Sequence, residues 1–126
     1  MEIHLSDGEW KLMNCLWDHT SMTITELTRA LEEETGWSKH TIITMLARLE
    51  SKGMVGYQGG TRAKHYFACI PRSKAAQSAT THFLGRVYGG NLGIMMNALI
   101  NSKALTPEDI DELSAILEKA KEEKEL

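Results

Sequence analysis

The chain has 126 residues, 42 % hydrophobic and 25 % charged, which suits one domain or a small domain with an appendage. Met1-Glu2-Ile3-His4 offers no basic n-region or apolar h-region, and the most apolar stretch, Ile94 to Ile100, is interrupted by Asn97, so neither export nor membrane insertion is expected. Cys15 and Cys69 fit no disulfide framework or paired-cysteine metal knuckle, and a cytoplasmic location follows as the default. Net charge is −3, but residues 37–66 carry five cations against Glu50 alone, whereas residues 1–36 carry two cations against eight anions. An acidic chain that gathers its cations in one segment offers that surface to a polyanion.

Ser6-Asp7-Gly8-Glu9 has the form of a capping box, so a first helix is expected from Asp7, with Ser6 as N-cap. Trp10, Met13, Leu16 and Trp17 follow at helical spacing and are read, with Trp37, as core. Thr23-Ile24-Thr25 reads as a short strand, and a second helix is expected from about Thr25 to Thr35, burying Leu27, Ala30 and Leu31 and stopping at Gly36. Ser38 is the N-cap of a third helix whose stripe Ile42, Met45, Leu46 and Leu49 is apolar. Its other face carries His40, Thr41, Thr44, Arg48 and Ser51.

A ribbon follows, Met54–Tyr57 and His65–Ile70, joined by a loop containing Gly59-Gly60, Arg62 and Lys64. Pro71 closes it and sets an expected boundary between a domain of residues 1–71 and a helical one of residues 72–126. The second part reads as Lys74 to Tyr88, a Gly89-Gly90 break, Leu92 to Ser102, and a helix opened by Thr106-Pro107-Glu108-Asp109. Leu92, Met95, Met96, Leu99, Ile110, Leu113, Ile116 and Leu117 exceed what three short helices can bury among themselves, so they are expected to form a dimer surface. The run Lys119–Glu125 reads as a solvated helix end.

The fold class expected is therefore mostly α with a small β-hairpin, a winged helix-turn-helix domain followed by helices for dimerisation. The third helix would enter the major groove of double-stranded DNA and the hairpin would lie along the adjacent backbone. Candidate DNA-binding residues are Ser38, Lys39, His40, Thr41, Thr44 and Arg48 on the helix, and Arg62, Lys64, His65 and Tyr66 on the wing. No nucleophile–base pair or metal-ligand cluster emerges at useful spacing, so neither an enzyme nor a cofactor is expected; the pairs Cys15/His19 and His65/Cys69 are read as incidental. The alternatives are a winged protein-interaction module and a redox- or metal-responsive regulator, for which Cys69 beside the wing is the one nominee.

The run from Trp37 to Leu49, followed by Lys52-Gly53, resembles the recognition helix of the penicillinase repressor family. The segments Leu5–Trp10 and Leu105–Leu113 resemble it too. The resemblance implies a homodimeric repressor on a palindromic operator, held together by its C-terminal helices. For the beta-lactamase branch it also implies release by cleavage of an Asn-Phe bond in the C-terminal helices, with a membrane-bound sensor protease as the partner. This chain departs from that pattern. His40 stands where the family has lysine, and the cleavage position falls on Ala98-Leu99, with Asn97 one residue early. The paired Cys-x-Cys motifs of a copper-responsive branch are absent.

Overall fold

The computed structural model describes residues 3–60 and 62–125; Thr61 of the expected wing loop lies outside them. Eight elements follow in chain order among the described residues: α1 (Asp7–Trp17), α2 (Ile24–Thr35), α3 (Lys39–Ser51), β1 (Val55–Gln58), β2 (His65–Ala68), α4 (Arg72–Tyr88), α5 (Leu92–Asn101) and α6 (Pro107–Glu125). The expected class, helical with a two-stranded antiparallel hairpin, is the class observed.

Local hydrogen-bond chemistry sets the helix starts. Ser6 Oγ accepts from the Glu9 amide and Glu9 Oε1 accepts from the Ser6 amide, closing the capping box of α1. The same reciprocal pair opens α2, between Thr23 and Glu26. The short strand expected at Thr23-Ile24-Thr25 is thus replaced by a cap, with Ile24 as the first helical residue. Only Met22 just before it pairs in strand fashion, exchanging backbone hydrogen bonds of 2.9 and 2.8 Å with Tyr66. Thr106 and Asp109 bond reciprocally at the start of α6, 3.0 and 3.1 Å apart.

Two compact units divide within α4, Met1–Thr80 and Thr81–Leu126. The first extends past the boundary expected at Pro71, because the opening turns of α4 pack on it. Ala75 is fully buried, the Ile3 amide donates to Ser78 Oγ at 2.9 Å, and Arg72 reaches Asp18 at 3.0 Å and the Asn14 carbonyl at 3.3 Å. Its core joins Leu12, Met13 and Leu16 of α1, Leu27 and Leu31 of α2, and Ile42, Met45, Leu46 and Leu49 of α3 to Met54, Val55 and Tyr66 of the hairpin. Ala30, expected on the buried side of α2, is exposed. Trp10, Trp17 and Trp37 are half-buried at the rim rather than central, with the Trp17 indole donating to the Ile70 carbonyl at 2.8 Å.

In the second unit α5 and α6 contain no buried residue at all. Leu92, Ile94, Leu99, Ile100, Ile110, Ile116 and Leu117 are each exposed, Leu117 to 61 %. Met95, Met96 and Leu113 are half-buried.

Candidate nucleic-acid interface

The turn between α2 and α3 is built by Gly36, which caps α2 in the left-handed region at φ +66° and donates to the Glu32 carbonyl at 2.9 Å. A side chain there would be strained, so glycine lets the chain reverse within Gly36-Trp37-Ser38 and start α3. The Trp37 amide is satisfied by Thr35 Oγ1 at 3.1 Å. Ser38 Oγ accepts from the Thr41 amide at 3.2 Å and lies 3.2 Å from Thr41 Oγ1. Burial of Ile42, Met45, Leu46 and Leu49 then rotates the other side of α3 outward. Ser38, Lys39, His40, Thr44 and Arg48 are exposed, and Thr41 is half-buried. Thr44 Oγ1 donates to the His40 carbonyl at 3.0 Å.

The hairpin pairs Val55 with Ala68, Gly56 with Phe67, Tyr57 with Tyr66 and Gln58 with His65. Its connection, residues 59–64, is one residue shorter than the expected loop, because Gln58 joins the ladder opposite His65. Gly59 is the residue the loop requires: φ is +102° and a Cβ would meet the Ala63 carbonyl oxygen at 2.7 Å. Arg62, Lys64 and His65 are exposed. Tyr66 is not: it is 7 % exposed, and the pleat turns it into the core. The expectation that it flanks the wing cations on the surface is corrected accordingly.

Several contributors escaped the sequence pattern. Tyr57 lies beneath Lys64, whose ammonium sits 4.2 Å from the ring centroid, a cation–π contact that orders the wing lysine. Arg29 of α2 lines a groove at the turn together with Lys39, Thr25, Thr28 and Trp37, adding a cation beside the start of α3. Lys52, counted among the basic segment's charges, is drawn inward: its ammonium donates to Glu9 Oε1 and to the His4 carbonyl, both at 2.8 Å. Glu26 stands near His65, and its carboxyl is held below the ordinary range by hydrogen bonds from the backbone and side chain of Thr23, with His65 and His19 adding a smaller attraction.

With Lys52 neutralised, the exposed cations of this unit's helix-turn-helix and wing are Arg29, Lys39, Arg48, Arg62 and Lys64. Such an assembly, an outward helix face with cations at both ends and a loop bearing two more, suits a polyanion whose edges present hydrogen-bonding groups.

The penicillinase repressor family profile matches residues 5–119. The penicillinase repressor of Bacillus licheniformis is 34 % identical over 120 residues, covering 95 % of this chain and 94 % of that one. The methicillin resistance regulatory protein MecI of Staphylococcus aureus is 24 % identical over 115 residues, covering 91 % and 94 %. Among solved structures, the Bacillus licheniformis BlaI monomeric form in complex with the blaP half-operator superposes with a TM-score of 0.50 at 33 % identity, covering 58 % of this chain and 89 % of that one. Taken with the winged helix-turn-helix just described, these similarities place the chain in the penicillinase repressor family, a family of winged-helix transcriptional repressors and not of enzymes.

Proposed function

We propose that the chain is a sequence-specific repressor that binds a palindromic operator as a homodimer in the cytoplasm. The observation that carries this reading is the outward face of α3, polar and cationic in a chain of net charge −3. Ser38 and Lys39 sit at the helix N-terminus, where backbone N–H groups and the helix dipole favour phosphate. His40, Thr41, Thr44 and Arg48 reach base edges, and Arg62, Lys64 and His65 follow the backbone from the wing. The similarity to a repressor whose monomeric form was solved on a half-operator supports both the groove-reading role and the use of two heads per operator. The exposed apolar faces of α5 and α6 support a second copy of this chain as the partner that covers them.

Replacing Thr44 or Arg48 by alanine is expected to weaken specific binding by about 1–3 kcal/mol each, Arg48 toward the upper end because a charge-assisted contact is lost. Titration of the site recovered from a random duplex pool measures this. Wild-type affinity in both variants would remove α3 as the reading helix. Neutralising Arg62 and Lys64 together should instead weaken all sequences alike and reduce the slope of log K against log salt by about two. An unchanged slope would take the wing off the DNA.

Release follows from loss of the tether between heads. Ala98 and Leu99 lie inside α5, and cleavage there, by a membrane-bound sensor protease in this reading, would leave two unlinked heads.

A further inference from the structure

We propose that Ile43 is a specificity-determining residue that reads the C5-methyl group of a thymine in the major groove. The inference rests on the reading of α3 as the recognition helix and adds what its centre recognises. Among the described residues of α1, α2 and α3, Ile43 is the only exposed large hydrophobic side chain, at 47 %. It lies off the buried stripe of Ile42, Met45, Leu46 and Leu49, so core packing gives no reason for an apolar residue there. A β-branched side chain also brings no gain in helix propensity. What it offers is a stiff apolar knob on the outward face.

Its neighbours at helical spacing sharpen the chemistry. Ala47, four residues on, is exposed and presents only a methyl group. Thr44 beside it has its hydroxyl hydrogen committed to the His40 carbonyl at 3.0 Å, and Ser51 commits its own to the Ala47 carbonyl at 3.2 Å. Ser38 and Thr41 share a hydroxyl–hydroxyl contact of 3.2 Å near the helix start. The middle of the face, Ile43, Thr44 and Ala47, therefore presents methyl groups and no uncommitted donor, while Lys39, His40 and Arg48 supply donors at its ends. Of the four base edges in the major groove, only thymine carries an apolar group. A methyl-bearing centre packs against that group, and cytosine, which lacks the methyl, forfeits the contact.

The test uses the full-length protein and a duplex recovered by selection from a random-core pool. Each thymine is replaced in turn by deoxyuridine, which deletes the C5-methyl alone. Wild type should lose about three- to fivefold in affinity at one position per half-site, the worth of one buried methyl group. Ile43→Ala should bind the parent duplex more weakly and lose nothing further at that position, while Ile43→Val should retain the deoxyuridine penalty. Because the side chain is exposed, both variants should keep the wild-type thermal midpoint. Equal deoxyuridine penalties in wild type and Ile43→Ala, with specific binding intact, would overturn this inference alone. A wild-type protein that prefers no duplex over a scrambled one would overturn the DNA-binding reading and this inference with it.

Discussion

Placing aspartate at both Ile116 and Leu117 should lower affinity for a complete operator by about 10²–10⁴-fold while leaving half-site binding nearly unchanged. These two side chains are 54 % and 61 % exposed on a helix without a single buried residue, the face that the proposed second copy would cover. Two carboxylates there would have to be desolvated for the copies to associate. The heads then bind independently and forfeit the effective concentration that a tether provides. Sedimentation at micromolar concentration should show a wild-type dimer and a monomeric variant. A wild-type monomer, unaltered by DNA, would refute the dimer. On the proposed function, the same arithmetic predicts that cleavage within α5 would derepress. Chain length followed in cells through induction decides whether it occurs: a fragment ending near Ala98 establishes it, and an intact chain eliminates it.

The second large effect concerns Lys52. Glu9 is 1 % exposed, its Oε1 accepts from the Ser6 amide and from Lys52, and its Oε2 is buried without a hydrogen-bond partner. Burial pushes this carboxyl up, but the hydrogen bonds from Lys52 and Ser6 together outweigh it and hold the group below its ordinary 4.5. Lys52→Met keeps the side-chain stem and removes the ammonium, stranding a buried carboxylate. The expected loss at pH 7 is about 2–3 kcal/mol, less than for a fully enclosed pair because the ammonium is partly solvated.

The pH dependence carries the sign. In the wild type the folded carboxyl is the stronger acid, so the pair stabilises above pH 4.5 and its contribution disappears as pH falls through the folded value. In the variant the hydrogen bond and charge of Lys52 no longer oppose burial, so the folded carboxyl becomes a weaker acid than in the wild type and protonation costs the fold less. The gap between the two proteins should therefore narrow as pH falls from 7 toward 4, measured by urea unfolding. A gap that stays constant would assign the loss to the hydrogen bond from Lys52 to the His4 carbonyl rather than to the ion pair.

Much of the fold was legible because it is written in short-range chemistry. Ser6 with Glu9, and Thr106 with Asp109, are reciprocal bonds between residues three apart, and a reader of the chain meets both partners at once. The apolar stripe of α3 repeats with the helix period, and the polar face opposite it follows from the same count. Gly36 stops α2 for a purely local reason, a backbone angle that other side chains resist. Thr23 with Glu26 carries the same signal, although the β-branched run around Ile24 suggested a strand instead.

What remained for the tertiary structure depends on partners far apart in the chain. Tyr66 points inward because the register against Tyr57 and the bridge to Met22 fix the pleat, and a strand four residues long carries too few alternations to announce its face. Lys52 counts as a free cation until folding brings the start of α1 against the end of α3 and Glu9 absorbs its charge. The first turns of α4 join the head because Ser78 and Ala75 meet the N-terminal segment and core, which Pro71 conceals as a break. Composition and periodicity could thus determine the helices, the wing and the outward polar face of α3. Which cations stay available, and which apolar faces stay uncovered, was decided only by packing, since burial and charge pairing are properties of neighbours in space rather than in sequence.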